Sequence, residues 1–325
     1  MKRRAFLSLT GGIAAWPLAA FGQKPSIPVI GIVSALSKPV TDRRVDSFAK
    51  GLSEAGHVVG RDVALEVRSA EGQYDRLPGL VRELIDRRVT LLATLAQPAV
   101  DAASAATTTV PIVFVAAFDP ARSGLVRSLG RPGGNITGVT FAAVNLGSKR
   151  FELLRELAPR GALMAFLTNP NSAEAQTEMR DVEATAASLQ QPLAVLNAST
   201  DSEIDAAFGE MARRRAGALL VGVDGFIFGR SERVIRLAAQ HRIPAIYLSA
   251  EAVAAGGLMS YGASIAAAWA QAGVYAGRIL KGAKPGDLPV VQPDKFELVL
   301  NVKTAKALGV TFPQTLIARA DDIIR

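Results

Sequence analysis

The side chains able to do covalent or metal chemistry are few. The chain of 325 residues contains two histidines, His57 and His241, and no cysteine. A thiolate nucleophile and a Cys/His metal cage are therefore out of reach. Each histidine falls in a turn between a helical stretch and a strand. Gly-Lys-Ser/Thr, Gly-x-Ser-x-Gly and Gly-x-Gly-x-x-Gly do not occur, so the phosphate loop, the nucleophile elbow and the dinucleotide fingerprint are missing. Catalysis by Asp or Glu alone is the one enzymatic route left. We expect no enzyme: no catalytic residue, no metal and no cofactor.

What the sequence does offer is polar residues placed just after apolar runs. Gln97-Pro98-Ala99 follows a run ending at Thr94, and Asp119-Pro120 follows Val115. Asn169-Pro170-Asn171-Ser172 follows Leu167, and Asp224-Gly225 follows Val221. Any one of these taken singly reads first as a helix cap or turn. Their shared address matters more, because open α/β sheets hold ligands beyond the carboxyl ends of their strands, against helix N-termini. The candidate ligand-binding set is Ser34, Thr94, Gln97, Ala117, Asp119, Asn169, Asn171, Asp224, Tyr247, Glu251 and Tyr261. One wall is apolar, with Leu95, Ala96, Ala116, Ala117 and Phe118; the other carries Asn169, Asn171, Asp224, Ser249 and Glu251. A guest with an apolar body and an amino group suits both. Asp224 and Glu251 would pair with the amine, and N–H groups near Gln97 or Asn171 would hold a carboxylate. Tyr247 and Tyr261 would stack on a flat guest, or serve as core or hinge residues.

The elements that position these residues alternate along the chain. β-branched runs at 27–33, 63–67, 90–94 and 112–115 are separated by helical stretches at 43–55, 74–87 and 99–107. The scheme returns in strands at 162–167, 193–196, 218–221 and 245–248, with helices at 173–189, 201–214 and 232–241. Strands separated by helices of this length imply right-handed crossovers and parallel sheets. Arg87-Arg88 before Leu91-Leu92-Ala93 matches Arg214-Arg215 before Ala218-Leu219-Leu220, and Val110-Pro111-Ile112 matches Ile243-Pro244-Ala245. Two matches in one order argue for two copies of one α/β unit. Between the copies, Pro132-Gly133-Gly134-Asn135 signals a turn before a short Ile/Val/Thr strand. After the second copy come the Gly-rich stretch 256–262, a helix at 266–280 and a strand at 296–300. This is more chain than the second lobe needs, so the chain crosses back and several connections join the lobes. The predicted fold is two Rossmann-like lobes with parallel sheets on a multi-strand hinge. Lobe one takes 27–138 plus 262–293, and lobe two takes 139–261 plus 294–325.

Lys2, Arg3 and Arg4, an apolar stretch from Phe6 to about Leu18, and small residues to Gly22 have the layout of an export signal over residues 1–22. The apolar stretch falls short of the roughly 20 residues of a membrane span. Arg3-Arg4-Ala5-Phe6-Leu7 is similar to a twin-arginine signal. With no cysteine at the cleavage point, the mature product is expected to be soluble and not lipid-anchored. The formal charge of +8 is spread over helix faces, as in Arg82, Arg87, Arg88 and Arg213 to Arg215, without interleaved aromatics. It reads as solvated surface, and no nucleic acid partner is expected.

The segments Arg3-Arg4-Ala5-Phe6-Leu7, Ala70-Glu71-Gly72-Gln73-Tyr74-Asp75-Arg76-Leu77-Pro78, Arg131-Pro132-Gly133-Gly134-Asn135-Ile136-Thr137-Gly138-Val139, Ser260-Tyr261-Gly262 and Phe296-Glu297-Leu298-Val299-Leu300-Asn301 carry a family resemblance. Over nearly its whole length the chain resembles ABC-transporter substrate-binding proteins of the tryptophan/tyrosine-binding type, with a type I periplasmic-binding fold. The resemblance implies a periplasmic monomer that holds a small apolar or aromatic amino acid, or a related carboxylate, in the interlobe cleft by clamshell closure. It also implies an ABC transporter membrane permease as partner; a sensor subunit serving a membrane receptor is the alternative. Family members usually carry Gly or hydroxyl residues in the loops that here read Leu95-Ala96-Gln97 and Ala116-Ala117-Phe118, which also admits an aromatic acid or another apolar metabolite. The same clamshell occurs in repressors, but those place a DNA-binding segment where this chain has its signal.

Overall fold

The computed structural model describes residues 27–325 apart from 142, 160 and 294, and leaves the side chains of 144 and 145 undescribed. The expected export signal at 1–22 lies outside the described residues.

The first half builds β1 (Val29–Ser34), α1 (Lys38–Glu54), β2 (Ala64–Ser69), α2 (Leu77–Asp86), β3 (Leu91–Leu95), α3 (Gln97–Ala106), β4 (Ile112–Ala116) and β5 (Ile136–Thr140). Its five strands are all parallel, in the order β2-β1-β3-β4-β5. β3, β4 and β5 are buried at every position, as expected of strands covered by helices on both faces.

The second half builds α4 (Gly147–Arg155), β6 (Met164–Thr168), α5 (Ala173–Ser188), β7 (Leu193–Asn197), α6 (Asp201–Arg213), β8 (Ala218–Val221), α7 (Gly225–Gly229), α8 (Ser231–Gln240), β9 (Ala245–Tyr247), α9 (Ala250–Ala254) and β10 (Met259–Gly262). The strand order β7-β6-β8-β9-β10 repeats that of the first sheet, as two copies of one unit require. The paired arginines have a physical role in both copies. Arg88 and Arg215 adopt φ of 57° and 51°, and the residue after each donates back into the last helical turn, Val89 to Leu84 and Ala216 to Met211. This left-handed residue closes each helix before the next strand.

The remaining chain is α10 (Ile265–Leu280), β11 (Glu297–Asn301), α11 (Val302–Leu308), α12 (Gln314–Ile317) and β12 (Asp322–Ile324). α10 returns to the first lobe and packs on α1. A Cβ at Gly51 would stand 1.7 Å from the Ala270 carbonyl oxygen, and one at Gly273 would stand 2.1 Å from that of Phe48, so glycine alone permits this approach. The chain then crosses again to add β11 antiparallel to β10, and β12 beside it. Before crossing, Val291 pairs with the edge of β5: its N–H donates to Gly138 O (3.0 Å), and Thr140 N–H donates to Val291 O (2.9 Å). The lobes are thus joined by connections after β5, after β10 and before β11.

Two details differ from the sequence reading. β5 pairs with β4 through Thr140, so the first sheet extends past residue 138, and Gly262 still pairs with Glu297 in the second sheet. β11 runs antiparallel in a sheet otherwise read as parallel. It enters straight from the interlobe connection without a crossover helix, which an antiparallel strand does not need.

Candidate functional site

The carboxyl ends of the two sheets face each other, and the lobes touch across the gap. Val223 and Leu248 of the second lobe join the apolar core of the first. A cavity of about 40 Å³ remains between them, with room for about three waters. Leu36, Leu95 and Val115 from the first lobe, Val223, Phe228 and Leu248 from the second, and Phe141 and Ile265 at the connections give it apolar walls. Arg44, Glu174 and Asp224 are its charged members.

Asp224 caps α7 through Ile227 N–H, 3.0 Å from Oδ1, and the same oxygen accepts from Asn169 Nδ2 at 3.1 Å. Its Oδ2 accepts from the Tyr74 hydroxyl of the first lobe at 3.0 Å, and that hydroxyl in turn accepts from Phe226 N–H at 3.0 Å. Tyr74 therefore clasps the N-terminus of α7 across the cleft. Burial raises the Asp224 carboxyl above its ordinary range, and these donors pull it back. Burial, aided by the facing Asp224 carboxylate, also pushes the Tyr74 phenol up, so it stays a donor at neutral pH.

Arg44 lies on the buried stripe of α1 with Val40, Thr41, Phe48 and Leu52. Its guanidinium reaches over the Phe228 ring, 5.5 Å from the centroid, and grips Glu251 of α9 through two bonds of 2.6 and 2.5 Å. Glu251, read from sequence as a partner for a ligand amine, here meets this interlobe arginine instead. Behind the site, Arg150 and Glu178 form a fully buried pair. Arg150 also donates to Val221 O at 3.2 Å, and Glu178 accepts from Val223 N–H at 2.6 Å, which fixes the loop that carries Asp224.

Glu174 sits in the first turn of α5, 3% exposed. Its Oε1 has no hydrogen-bond partner. Burial, followed by the Asp224 charge, pushes its carboxyl up to about 8. Ala96, at the entry to α3, takes φ 69° and ψ 154°, a region that suits glycine and strains an alanine.

The remaining sequence-predicted residues divide. Ala117 lines the inner cavity beside Asp224. Gln97 and Asp119 line an outer cavity of about 290 Å³ that adjoins it at Glu174 and includes Phe118, Arg122, Thr177 and Arg180. The Asp119 carboxylate is turned onto its own backbone, accepting from Ala121 and Arg122 N–H at 2.9 and 3.1 Å. Asn169 is buried at the edge of the site, while Asn171 is exposed and donates its N–H to Asn169 Oδ1. Ser34 accepts from the Thr41 hydroxyl (2.8 Å) and Leu36 N–H (3.1 Å), which shapes the turn after β1. Thr94 is wholly buried in the first sheet. Tyr247 packs in the core of the second lobe, against Gly257 and the α8 side, and Tyr261 packs against Phe296 at 6.2 Å; neither tyrosine lines the two cavities.

Sequence reasoning missed Tyr74, Arg44 and Glu174 as site residues. A signal existed for Arg44, the lone charge among the apolar positions that recur at helical spacing along α1. Glu174 follows the Asn-Pro-Asn-Ser cap by two residues and shares the strand-end address of its neighbours.

A two-lobed α/β clamshell with its cavity at facing strand ends is the architecture of type I periplasmic-binding proteins. Residues 29–324 match the family described as ABC transporter substrate binding protein, and the chain belongs to that family. Among curated relatives, a tyrosine-binding protein of Clostridioides difficile (strain R20291) is 26% identical over 282 residues, covering 86% of this chain and 81% of the relative. Among solved structures, a conserved domain protein from Vibrio cholerae superposes with a TM-score of 0.82 at 25% identity, covering 91% of this chain and 99% of that one. An ABC domain from Streptococcus pneumonia in complex with L-Trp superposes at 0.79 with 25% identity, covering 91% and 100%. Among the described residues, no helix is long and apolar enough to cross a membrane and no cluster of metal-ligating side chains occurs.

Proposed function

We propose that this protein is the periplasmic, soluble solute-binding subunit of an ABC importer, taking a small apolar or aromatic amino acid, or a related carboxylate, into the interlobe cleft. The cavity between the strand ends carries this reading: its walls are apolar, and its charged members stand on both lobes. The relatives that bind tyrosine and tryptophan support an aromatic amino acid among the candidates. Residues proposed to meet or enclose the guest are Ala117, Asp224 and Glu174 at the inner cavity and Gln97 and Asp119 at the outer one, with Arg44, Glu251 and Tyr74 holding the lobes together.

A cavity of about 40 Å³ is far below the roughly 300 Å³ of a ligand pocket. The lobes therefore part to admit a guest and settle around it. The guest favours the closed form only by the extra contacts it makes there. A micromolar ligand has about 8 kcal/mol to divide between closure and net affinity. The permease then reads the closed outline of a monomer.

A thermal-shift and calorimetric panel of L-tyrosine, L-tryptophan, L-phenylalanine, L-leucine and aromatic acids, with small-angle scattering on each binder, tests this. Binding with compaction is the expected result. A binder that leaves the scattering profile unchanged, or that survives substitution of both lobes' cavity residues, would refute closure in the cleft.

A further inference from the structure

We infer that Glu174 selects a guest carrying a protonated primary amine, which it holds through the carboxylate oxygen that has no partner in the closed cleft. This rests on the proposed reading of the cleft as a binding site and goes beyond it in naming the group recognised and the residue responsible.

Asp224, Glu251 and Glu178 are already engaged. Both oxygens of Asp224 accept hydrogen bonds, from Asn169 and Ile227 at one and Tyr74 at the other. Glu251 is gripped by Arg44, and Glu178 is paired with Arg150 and Val223 N–H. Glu174 lines both the inner and outer cavities, is 3% exposed and keeps Oε1 without a partner. A buried carboxyl oxygen left in this way is costly, and an ammonium group in the cavity relieves it as a charge-assisted donor.

The surroundings set the protonation. Asp224, Asp101 of α3 and Glu178 one turn along α5 face Glu174 with like charge, while Ala117 N–H offers a counteracting hydrogen bond. The cations on the cavity walls are Arg44 inside and Arg122 and Arg180 outside. Burial leads these effects and holds the carboxyl up to about 8, so at neutral pH the empty site carries the acid form. When an ammonium guest enters, the O–H bond of Glu174 breaks, its proton passes to the buffer, and the carboxylate pairs with the cation. Charge at this carboxyl balances: one ammonium group arrives and one proton leaves.

The test is titration calorimetry near neutral pH in phosphate and in Tris, which differ in ionisation enthalpy. The probes are L-tyrosine, L-tryptophan and L-leucine, their deaminated acids 3-(4-hydroxyphenyl)propionate, indole-3-propionate and 4-methylpentanoate, and the amines tyramine and tryptamine. An amine-bearing probe should bind with release of close to one proton, its affinity rising about tenfold per pH unit below pH 8 and levelling above. Its deaminated partner should bind at least about tenfold more weakly. Glu174→Gln, which imitates the neutral carboxyl and should keep the fold, is expected to abolish the proton release and the preference for the amine. Deaminated acids that bind as tightly, or amine binding without proton release in the wild type, would overturn the role of Glu174 while leaving the cleft intact. Absence of binding by every amine-bearing probe also overturns it. A carboxylic acid that still binds and compacts the protein would then preserve the wider reading, which falls if nothing compacts it.

Discussion

Replacing Tyr74 by phenylalanine removes one hydroxyl that makes two bonds across the cleft. It donates to Asp224 Oδ2 and accepts from Phe226 N–H, both at 3.0 Å, while the aromatic ring stays packed against both lobes' cores. Asp224 is 3% and Phe226 5% exposed, so in the closed form both groups lose their partner without gaining water. A hydrogen bond to a charged group is worth about 1.5–3 kcal/mol, which corresponds to roughly ten- to hundredfold in an equilibrium constant. When the lobes part, water reaches both groups and the cost vanishes. The whole effect therefore falls on closure. Calorimetric affinity for whichever panel compound binds should drop by up to about ten- to hundredfold, while the unliganded melting temperature falls only by the smaller amount that closure contributes to the empty protein. Tyr247→Phe, altered in the second lobe's core, serves as the control and should leave affinity unchanged. An affinity for Tyr74→Phe within about twofold of wild type, together with a lowered melting temperature, would refute the assignment of Tyr74 as a closure contact.

Three further outcomes follow from the same geometry. Arg150→Met strands the Glu178 carboxylate in a fully buried site, and loss of one partner of such a pair costs about 3–5 kcal/mol; Arg150→Met with Glu178→Leu should recover most of that loss in denaturant unfolding. Gly273→Ala forces a Cβ against the Phe48 carbonyl where 2.1 Å is available. It should destabilise the protein by about 1–3 kcal/mol, read as a fall in melting temperature with no specific effect on closure. For pH, burial raises Glu174 from 4.5 to about 8, so between those values the folded state binds more protons than the unfolded one. The contribution of Glu174 to stability is thus greatest near pH 4.5 and declines as pH rises towards 8; Glu174→Gln should flatten that stretch of the melting-temperature profile.

Apolar runs and their spacing were enough to place most strands and long helices, because a buried parallel strand needs a continuous apolar stretch and a covering helix needs a 3.6-residue stripe. The duplication was legible for a similar reason: the second arginine of each pair closes a helix in the left-handed region before the next strand. Short elements such as α7 and α9 escaped, since five residues carry no periodic signal.

The candidate site was only half legible. Sequence alone located the strand ends, and so the neighbourhood of Ala117, Asp119, Asn169 and Asp224. Tertiary structure decided which of those groups remain available. Asp119 satisfies itself on its own turn, as short polar side chains do when backbone N–H groups are near. Tyr247 packs beneath α8 and α9 of its own lobe, a choice of strand face that alternates residue by residue. Glu251 meets Arg44 from a position 207 residues away. Glu174 keeps a bare oxygen because closure of the two lobes buries it without supplying a donor to that atom. Local sequence fixes where a backbone ends and a cap begins, but the desolvation and partnering of a charge depend on surfaces brought together only when the lobes meet.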